Sequence, residues 1–464
     1  MMGNYSSYQS PFSWRYGSAE MRRVWSEENK RLLWRKLWVV MAETQVEWGL
    51  VTPEQVQDLK DHAGEIDIPR ALEIEEKLHH DLMAEIKVYA SQCKTGGGII
   101  HLGATSMDIK DNAEALQIKE GLALVAQELS DFLGVMSEII EQYAGLPVMA
   151  FTHLQPAEPT TLGYRLANIG QDLLADWQSV NRISAELKGK GFKGAVGNAA
   201  SYVMLFGDAE FSLFEKTISD KLGLPFFPVS TQTYTRKQDL EVLNCLASLG
   251  ATLYKFALDL RLLQSEVIGE LAEPFGGEQV GSSAMPFKRN PIQLEKITSL
   301  ARELSAMPAV AWNNYAHSML ERTLDDSANR RTILPESFLI VDEILSSFTH
   351  IIKGLQVRPA AITRTLDRFS PFAAVERVMM AMVKKGANRQ EAHAWLREHS
   401  MTAWEAVQRG EPNSLKDLVK ADKKISTLIP GKELDELFQV ESYTGIAEKR
   451  SREMSRTIRE HISR

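Results

Sequence analysis

The chain is poor in the features that most quickly assign a protein to a class. It has two cysteines, Cys93 and Cys245, far apart in 464 residues. That excludes a disulfide framework and fits a reducing compartment, with both thiols expected to be buried bystanders. No stretch approaches the ~20 uncharged apolar residues of a membrane helix, and the opening MMGNYSSYQSPFSWRY lacks the apolar core of a secretory signal. Met1-Met2-Gly3 does not place glycine second, so no myristoylation signal is read there. The expected location is the cytoplasm. Basic residues are outnumbered 53 to 61, a net charge of -8. No uniform positive field therefore attracts nucleic acid or an anionic membrane, and an anionic ligand must be held by local charge. The sequence also shows no run of alternating β-branched residues, no repeat at solenoid periods, no low-complexity segment and no G-x-x-x-x-G-K-[ST] spacing. No Cys/His grouping has metal-ligand spacing, so no metal site is expected.

What is present is helical pattern. At 464 residues the chain exceeds the size at which one core stops growing, so two or three domains are expected. Over Leu240–Val267 the apolar residues Leu246, Leu249, Leu253, Phe256, Leu260, Leu263 and Val267 fall at spacings of three and four, the seam of a bundle helix. Leu162, Leu166, Ile169, Leu173, Val180, Ile183 and Leu187 mark a second rod. Segments 111–144 and 296–320 suggest others, the last with a kink at Pro308. The fold class is mostly α, a long-helix bundle, with short strands expected near Gly189–Val203 and Val229–Thr235. The glycine-rich Thr95–Ser106, ahead of Asp108 and Asp111 as candidate helix caps, and Val357-Arg-Pro359 mark boundaries near 105 and 357. These give an N-terminal helical domain (1–105), a central bundle (106–357) and a C-terminal helical domain (358–464). Apolar seams on more than one side favour burial between subunits of a symmetric oligomer.

The segment GGEQVGSSAMPFKRNP (276–291) breaks the helical pattern with glycines, adjacent serines and prolines, and is expected to be an exposed loop. Backbone N–H groups near Gly281, Ser282 and Ser283, with the charge of Lys288, suit a carboxylate whose charge grows during reaction. A serine there can serve as base for a proton next to a carboxylate if its alkoxide is stabilised by the same groups. On these grounds Ser282 and Ser283 are not distinguished.

The string GSSAMPFKRNP (281–291) resembles the loop of the fumarase/aspartase superfamily. SPFSWRY (10–16), HHDLMAE (79–85), GIIHLGATSMDIKDN (98–112), FTHLQPAEPTT (151–161), QTYTRK (232–237) and ERTLDDSANRR (321–331) are similar, in order, to blocks of its animal-like adenylosuccinate lyase family. The C-terminal quarter, including MAMVKKGANRQEAH, is also similar. The resemblance implies a three-domain fold whose central bundles assemble into a homotetramer. The implied reaction is β-elimination of fumarate from adenylosuccinate and from the succinylated carboxamide ribotide SAICAR, without cofactor or metal.

By position, the resemblance makes Ser282 the general base. Lys288 and Asn290 hold the succinyl carboxylates, and His153 protonates the leaving nitrogen, paired with Glu295. His80 is a second active-site histidine, next to Asp81 as a substrate contact. Thr105, Ser106, Thr152 and Gln232 are further substrate contacts, and Arg15, Tyr16, Arg322, Ser327 and Arg331 hold the nucleotide phosphate and its surroundings. Lys296 stands where animal members often carry arginine, and Glu85 where relatives often carry histidine. The rival readings are another superfamily member, such as an argininosuccinate lyase, and an inactive scaffold. QTYTRK and ERTLDDSANRR favour the nucleotide, and the joint presence of Ser282, His153, Lys288 and Glu295 disfavours the scaffold.

Overall fold

The seams form the rods they predict. In the computed structural model, which describes residues 6–439 and 443–463, one helix runs from Lys237 to Gln264. Leu246, Leu249, Leu253, Phe256, Leu260 and Leu263 are all buried on it. Val267 lies beyond the helix end and is 92% exposed, so the seam closes at Leu263, four residues earlier than its spacing implies. The second seam lies along the Leu162–Glu186 helix, with Leu162, Leu166, Ile169, Leu173, Val180 and Ile183 buried, and Leu187 buried just after it. Further rods span Ser106–Gln142, Ile292–Ala316 and Asp325–Lys353. The Ile292–Ala316 helix continues through Pro308, where a kink is expected from the sequence, and Pro335 is likewise held inside Asp325–Lys353. Met1-Met2-Gly3 lies outside the described residues.

The strands lie elsewhere than expected. Pro147–Thr152 and Gln155–Thr161 form an antiparallel hairpin, and Leu271–Ala272 pairs with Gln356–Val357. Between 189 and 235 only an isolated bridge, Gly189 to Phe226, appears among the described residues. There Gly191, Gly194 and Gly197 adopt positive φ, which suits turns and interrupts any ladder, and Ala200–Phe206 is helical. Among the described residues no helix is long and apolar enough to cross a membrane.

The chain forms two compact units, each gathered from three stretches, because the long helices begin in one unit and end in the other. The first comprises 1–129, 176–251 and 299–346, and the second 130–175, 252–298 and 347–464. The core of the first unit is aromatic, with Trp34, Trp38, Tyr89, Phe192, Tyr202 and Phe214 among its buried members. It also encloses charge. Asp108 is paired with Lys190 and accepts N–H groups from Lys193 and Gly194 (3.2 Å each). Glu85, fully buried, lies 2.8 Å from both Arg31 and Arg35. In the second unit Phe256 stacks on Phe348 with ring centres 5.1 Å apart. The C-terminal helices there pack Val378, Met382, Leu396, Val419 and Leu434 together. Cys93 is buried and Cys245 half-buried; burial pushes their thiols up to about 12 and about 11.

Candidate active site

Ten sequence-predicted contact and catalytic residues are found in the first unit, and eight of them line one cavity of about 420 Å³: His80, Asp81, Thr105, Ser106, Gln232, Arg322, Ser327 and Arg331. Arg15 and Tyr16 are not among its walls. They follow the short turn Pro11–Ser13, where Tyr16 packs on Phe12 with ring centres 5.7 Å apart and the Arg15 guanidinium lies 5.7 Å from the Trp14 ring centre.

Helix starts build the cavity. His80 caps the helix Asp81–Gln92, its Nδ1 accepting the Met83 N–H at 3.2 Å. With Nδ1 used as acceptor, the proton of the neutral ring sits on Nε2, 3.3 Å from Ser106 Oγ. Ser106 opens the helix Ser106–Gln142, and Asp108 reaches back to accept the Thr105 N–H at 2.9 Å. Asp111 does not cap, although its sequence position suggests that role. It lies inside the helix and accepts both terminal nitrogens of Arg236, at 3.1 and 3.2 Å.

That pair belongs to a buried network the sequence reading missed. Arg236 Nε donates to Asp326 at 2.6 Å, and Arg330 donates to Asp239 at 2.7 Å and to the Tyr234 hydroxyl at 2.8 Å. Arg330 also pairs with Glu114 at 2.8 Å, and the Gln232 N–H donates to the Glu321 carbonyl at 3.3 Å. Burial opposes ionisation of Asp326, but Arg236, Arg330 and Arg322 hold its carboxyl below the ordinary range. The blocks QTYTRK and ERTLDDSANRR are thus tied to each other and to the Ser106–Gln142 helix through Arg236, Arg330 and Asp326. Gln232, Arg322, Ser327 and Arg331 are presented from that frame. The signal for it was in the sequence, as charged residues inside apolar helical surroundings, but pairing partners 90 or more residues apart cannot be read there.

The cavity walls carry five cations, Lys30, Lys110, Arg322, Arg330 and Arg331, against three carboxylates, Glu75, Asp81 and Glu114. Two of the five are also paired behind the walls, Arg322 with Asp326 and Arg330 with Asp239, so the positive charge that can meet an anion there is smaller than the wall count. Arg322 donates to Asp326 at 2.8 Å, while Arg331 is 61% exposed, with one terminal nitrogen 3.5 Å from Asp81. Glu85, where relatives in the resemblance often carry histidine, faces away from this cavity into the arginine pair described above.

The remaining predicted residues are in the second unit. Thr152 ends one strand of the hairpin and His153-Leu154 form its two-residue tip, with Thr152 paired to Gln155. His153 and Leu154 have φ of 52° and 59°, so both tip residues are left-handed, the geometry of a tight hairpin turn that normally selects Asn-Gly. A histidine and a leucine held there carry backbone strain of the kind that clusters at functional sites. The imidazole is exposed.

In the loop 276–291, Ser282 Oγ accepts the N–H groups of Ala284 (3.3 Å) and Met285 (3.1 Å). No such donors reach Ser283 Oγ among the described residues. Asn290 donates to the Gly281 carbonyl at 3.0 Å, closing the loop across nine residues. Lys288 is exposed on the same loop. Glu273, buried, accepts the N–H groups of Gln293 (3.2 Å) and Leu294 (3.0 Å) and so fixes the start of the helix that follows; burial raises its carboxyl above the ordinary range. Glu295, in the first turn of that helix, lies 3.4 Å from Arg261, and Lys296 is half-buried beside it. Among the described residues no hydrogen bond or ion pair joins His153 to Glu295.

Asp58, His62 and Cys93 bring metal-type ligand atoms within 4.8 Å of one another, a grouping hidden in sequence by the 35 residues that separate two of them. All three already have partners. Asp58 Oδ2 accepts N–H groups from Thr95 and Gly96 at 2.7 Å, His62 Nδ1 meets the Asp58 carbonyl at 2.8 Å, and Cys93 Sγ lies 3.7 Å from the same carbonyl.

The fold is shared with lyases and cycloisomerases. The chain superposes on the 3-carboxy-cis,cis-muconate lactonizing enzyme of Pseudomonas putida (TM-score 0.87, 22% identity, 98% of this chain and 100% of that one). It superposes similarly on a fumarate lyase of Mesorhizobium sp. BNC1 (TM-score 0.84, 22% identity, 97% and 99%). These show a shared, mostly helical fold. Residues 52–305 match the lyase family and 371–453 the adenylosuccinate lyase C-terminus family. Curated adenylosuccinate lyases are similar over nearly their whole length. That of Schistosoma mansoni is 39% identical, covering 92% of this chain and 91% of the relative, and that of Saccharomyces cerevisiae is 38% identical, covering 96% and 93%. That of Pyrococcus abyssi is 36% identical, covering 94% and 95%. The chain belongs to the adenylosuccinate lyase family.

Proposed function

We propose that this protein is a carbon–nitrogen lyase that eliminates fumarate from adenylosuccinate, leaving AMP, and from SAICAR, leaving AICAR. The observation that carries the chemistry is the pair of backbone N–H groups directed at Ser282 Oγ. A hydroxyl that receives hydrogen bonds from fixed donors has its alkoxide stabilised, which a serine base requires. Ser282 takes the Cβ proton of the succinyl group. The electron pair moves into the adjacent carboxylate, whose added charge Lys288 and the loop amides offset. Collapse forms the fumarate double bond and breaks the carbon–nitrogen bond, and His153 gives its proton to the departing nitrogen. The cationic cavity supports a phosphorylated ligand, with Arg322, Ser327 and Arg331 at the phosphate and Thr105, Ser106 and Gln232 on the remainder.

Large apolar side chains left exposed on the long helices, Trp312, Tyr315, Leu258 and Leu262 among them, support a homotetramer in which protomers exchange site residues. The reaction needs no cofactor, and the enzyme acts in the cytoplasm. Fumarate release tests the reading. The purified protein is expected to release fumarate from adenylosuccinate and none from argininosuccinate. Ser282→Ala is expected to lower kcat by about 10²- to 10⁴-fold, the usual range for loss of a general base, with Ser283→Ala much less affected. Near-normal turnover by Ser282→Ala would remove Ser282 as the base, and an inert wild-type protein would remove the reaction.

A further inference from the structure

The cavity contains an arrangement that the assigned contacts do not use. Asp81 Oδ1 accepts the N–H of Leu82 at 2.7 Å, at the start of its own helix. Its other oxygen, Oδ2, faces two cations: Lys110 Nζ at 2.7 Å and the Arg331 guanidinium at 3.5 Å. Asp81 and Lys110 are 15% and 25% exposed, whereas Arg331 is 61% exposed and free to swing. The nearer, more enclosed cation is therefore Lys110, and the looser one is Arg331. Lys110 stands on the second turn of the Ser106–Gln142 helix and also lines the cavity, as does Glu114 one turn further on, itself engaged by Arg330 at 2.8 Å.

We propose that Lys110 is a positioning residue: it neutralises Asp81 so that Arg331 can leave that carboxylate for the phosphate of the bound nucleotide. This deepens the reading of the site given above and rests on it for the identity of the ligand. A phosphate dianion entering a cavity with an uncovered carboxylate meets repulsion, and a guanidinium already committed to that carboxylate is lost to the ligand. With Lys110 in place, transfer of Arg331 from Asp81 to phosphate leaves the carboxylate still paired. Without it, Asp81 and the phosphate compete for one guanidinium. Burial alone would raise the Asp81 carboxyl, but Lys110, the Leu82 N–H and, more weakly, Arg331 hold it below the ordinary range, which keeps it an anion that must be balanced.

The test uses Lys110→Met, close in length and uncharged, and Lys110→Arg, which restores the charge. In the full-length enzyme, Lys110→Met is expected to raise KM for adenylosuccinate and the inhibition constant for inorganic phosphate together by about tenfold, a change of ~1.4 kcal/mol in binding, with kcat within about twofold. Lys110→Arg is expected to recover most of both. A direct binding titration with AMP should show the same weakening. If Lys110→Met binds AMP and phosphate as the wild type does, the proposal is overturned. It is equally overturned if both variants lose kcat and melting temperature in parallel without a selective loss of phosphate affinity, because that pattern marks a packing role. A wild-type protein that binds AMP but releases no fumarate would defeat the assigned reaction while leaving the Lys110 measurement intact.

Discussion

At the scale of single residues, position in the fold separates side chains that the sequence presents as equals. Ser282 and Ser283 are adjacent and chemically identical, yet among the described residues only the first receives backbone N–H groups. The turn that directs those amides is set by φ and ψ values the sequence does not state, so this distinction was not legible. Glu85 shows the same point in reverse. Its block resembles a site motif, but the carboxylate is fully buried between Arg31 and Arg35, both almost without exposure. Removing it leaves the buried Arg35 guanidinium without a counter-charge among the described residues and Arg31 with only Glu27, 3.9 Å away. Glu85→Ala is therefore expected to destabilise the fold by ~3–5 kcal/mol, the usual consequence of breaking a buried ion pair from one side. The comparison is a shift of denaturation midpoint at fixed protein concentration, because subunit association would otherwise contribute. An unchanged midpoint would mean that the arginines find other partners, and the buried triad would then not be a stabilising element.

At the scale of elements, legibility follows period and length. The Leu162–Glu186 and Lys237–Gln264 helices were readable because seven apolar residues at steps of three and four, with one step of seven in the first, leave little alternative. The hairpin Pro147–Thr161 was not, because it contains Pro147, Pro156 and Pro159 and turns on His153-Leu154 in place of the glycine or asparagine that signals such a tip. The loop 276–291 was legible as a loop but not in its anchoring. It is held at one end by Glu273, which accepts N–H groups from the start of the next helix, and near the middle by the approach of Gly281 to Lys288. A Cβ added at Gly281 would lie 2.1 Å from the Lys288 carbonyl oxygen, a backbone atom that cannot rotate away. Gly281→Ala must therefore move the loop by an ångström or more. A misplacement of that size costs about 10²-fold in rate. The expectation is a loss of that order in kcat, with the melting temperature within a few degrees of wild type because the loop is exposed. If Gly281→Ala retains wild-type kcat, the close approach is not a requirement of the active loop.

At the scale of the whole molecule, the question is what covers the apolar surface left on the long helices. On Ile292–Ala316, Trp312 is 55% exposed and Tyr315 43%; on Lys237–Gln264, Leu258 is 47% and Leu262 41% exposed. Large apolar side chains repeated along rods of this length mark surface that association buries. The proposed homotetramer would cover them. The mass in solution is expected to be about four times the 52.1 kDa chain, measured by sedimentation or light scattering. Trp312→Glu, which places a charge where an apolar contact is required, is expected to shift the protein toward smaller species with concentration-dependent activity. If catalytic groups are shared between protomers, mixing two inactive variants, Ser282→Ala and His153→Ala, should restore part of the activity, because some sites then receive an intact serine from one protomer and an intact histidine from another. A mixture that exchanges subunits yet stays inactive would show that each site is built from one chain, and the strained His153 turn would then have to reach Glu295 by a movement within the protomer.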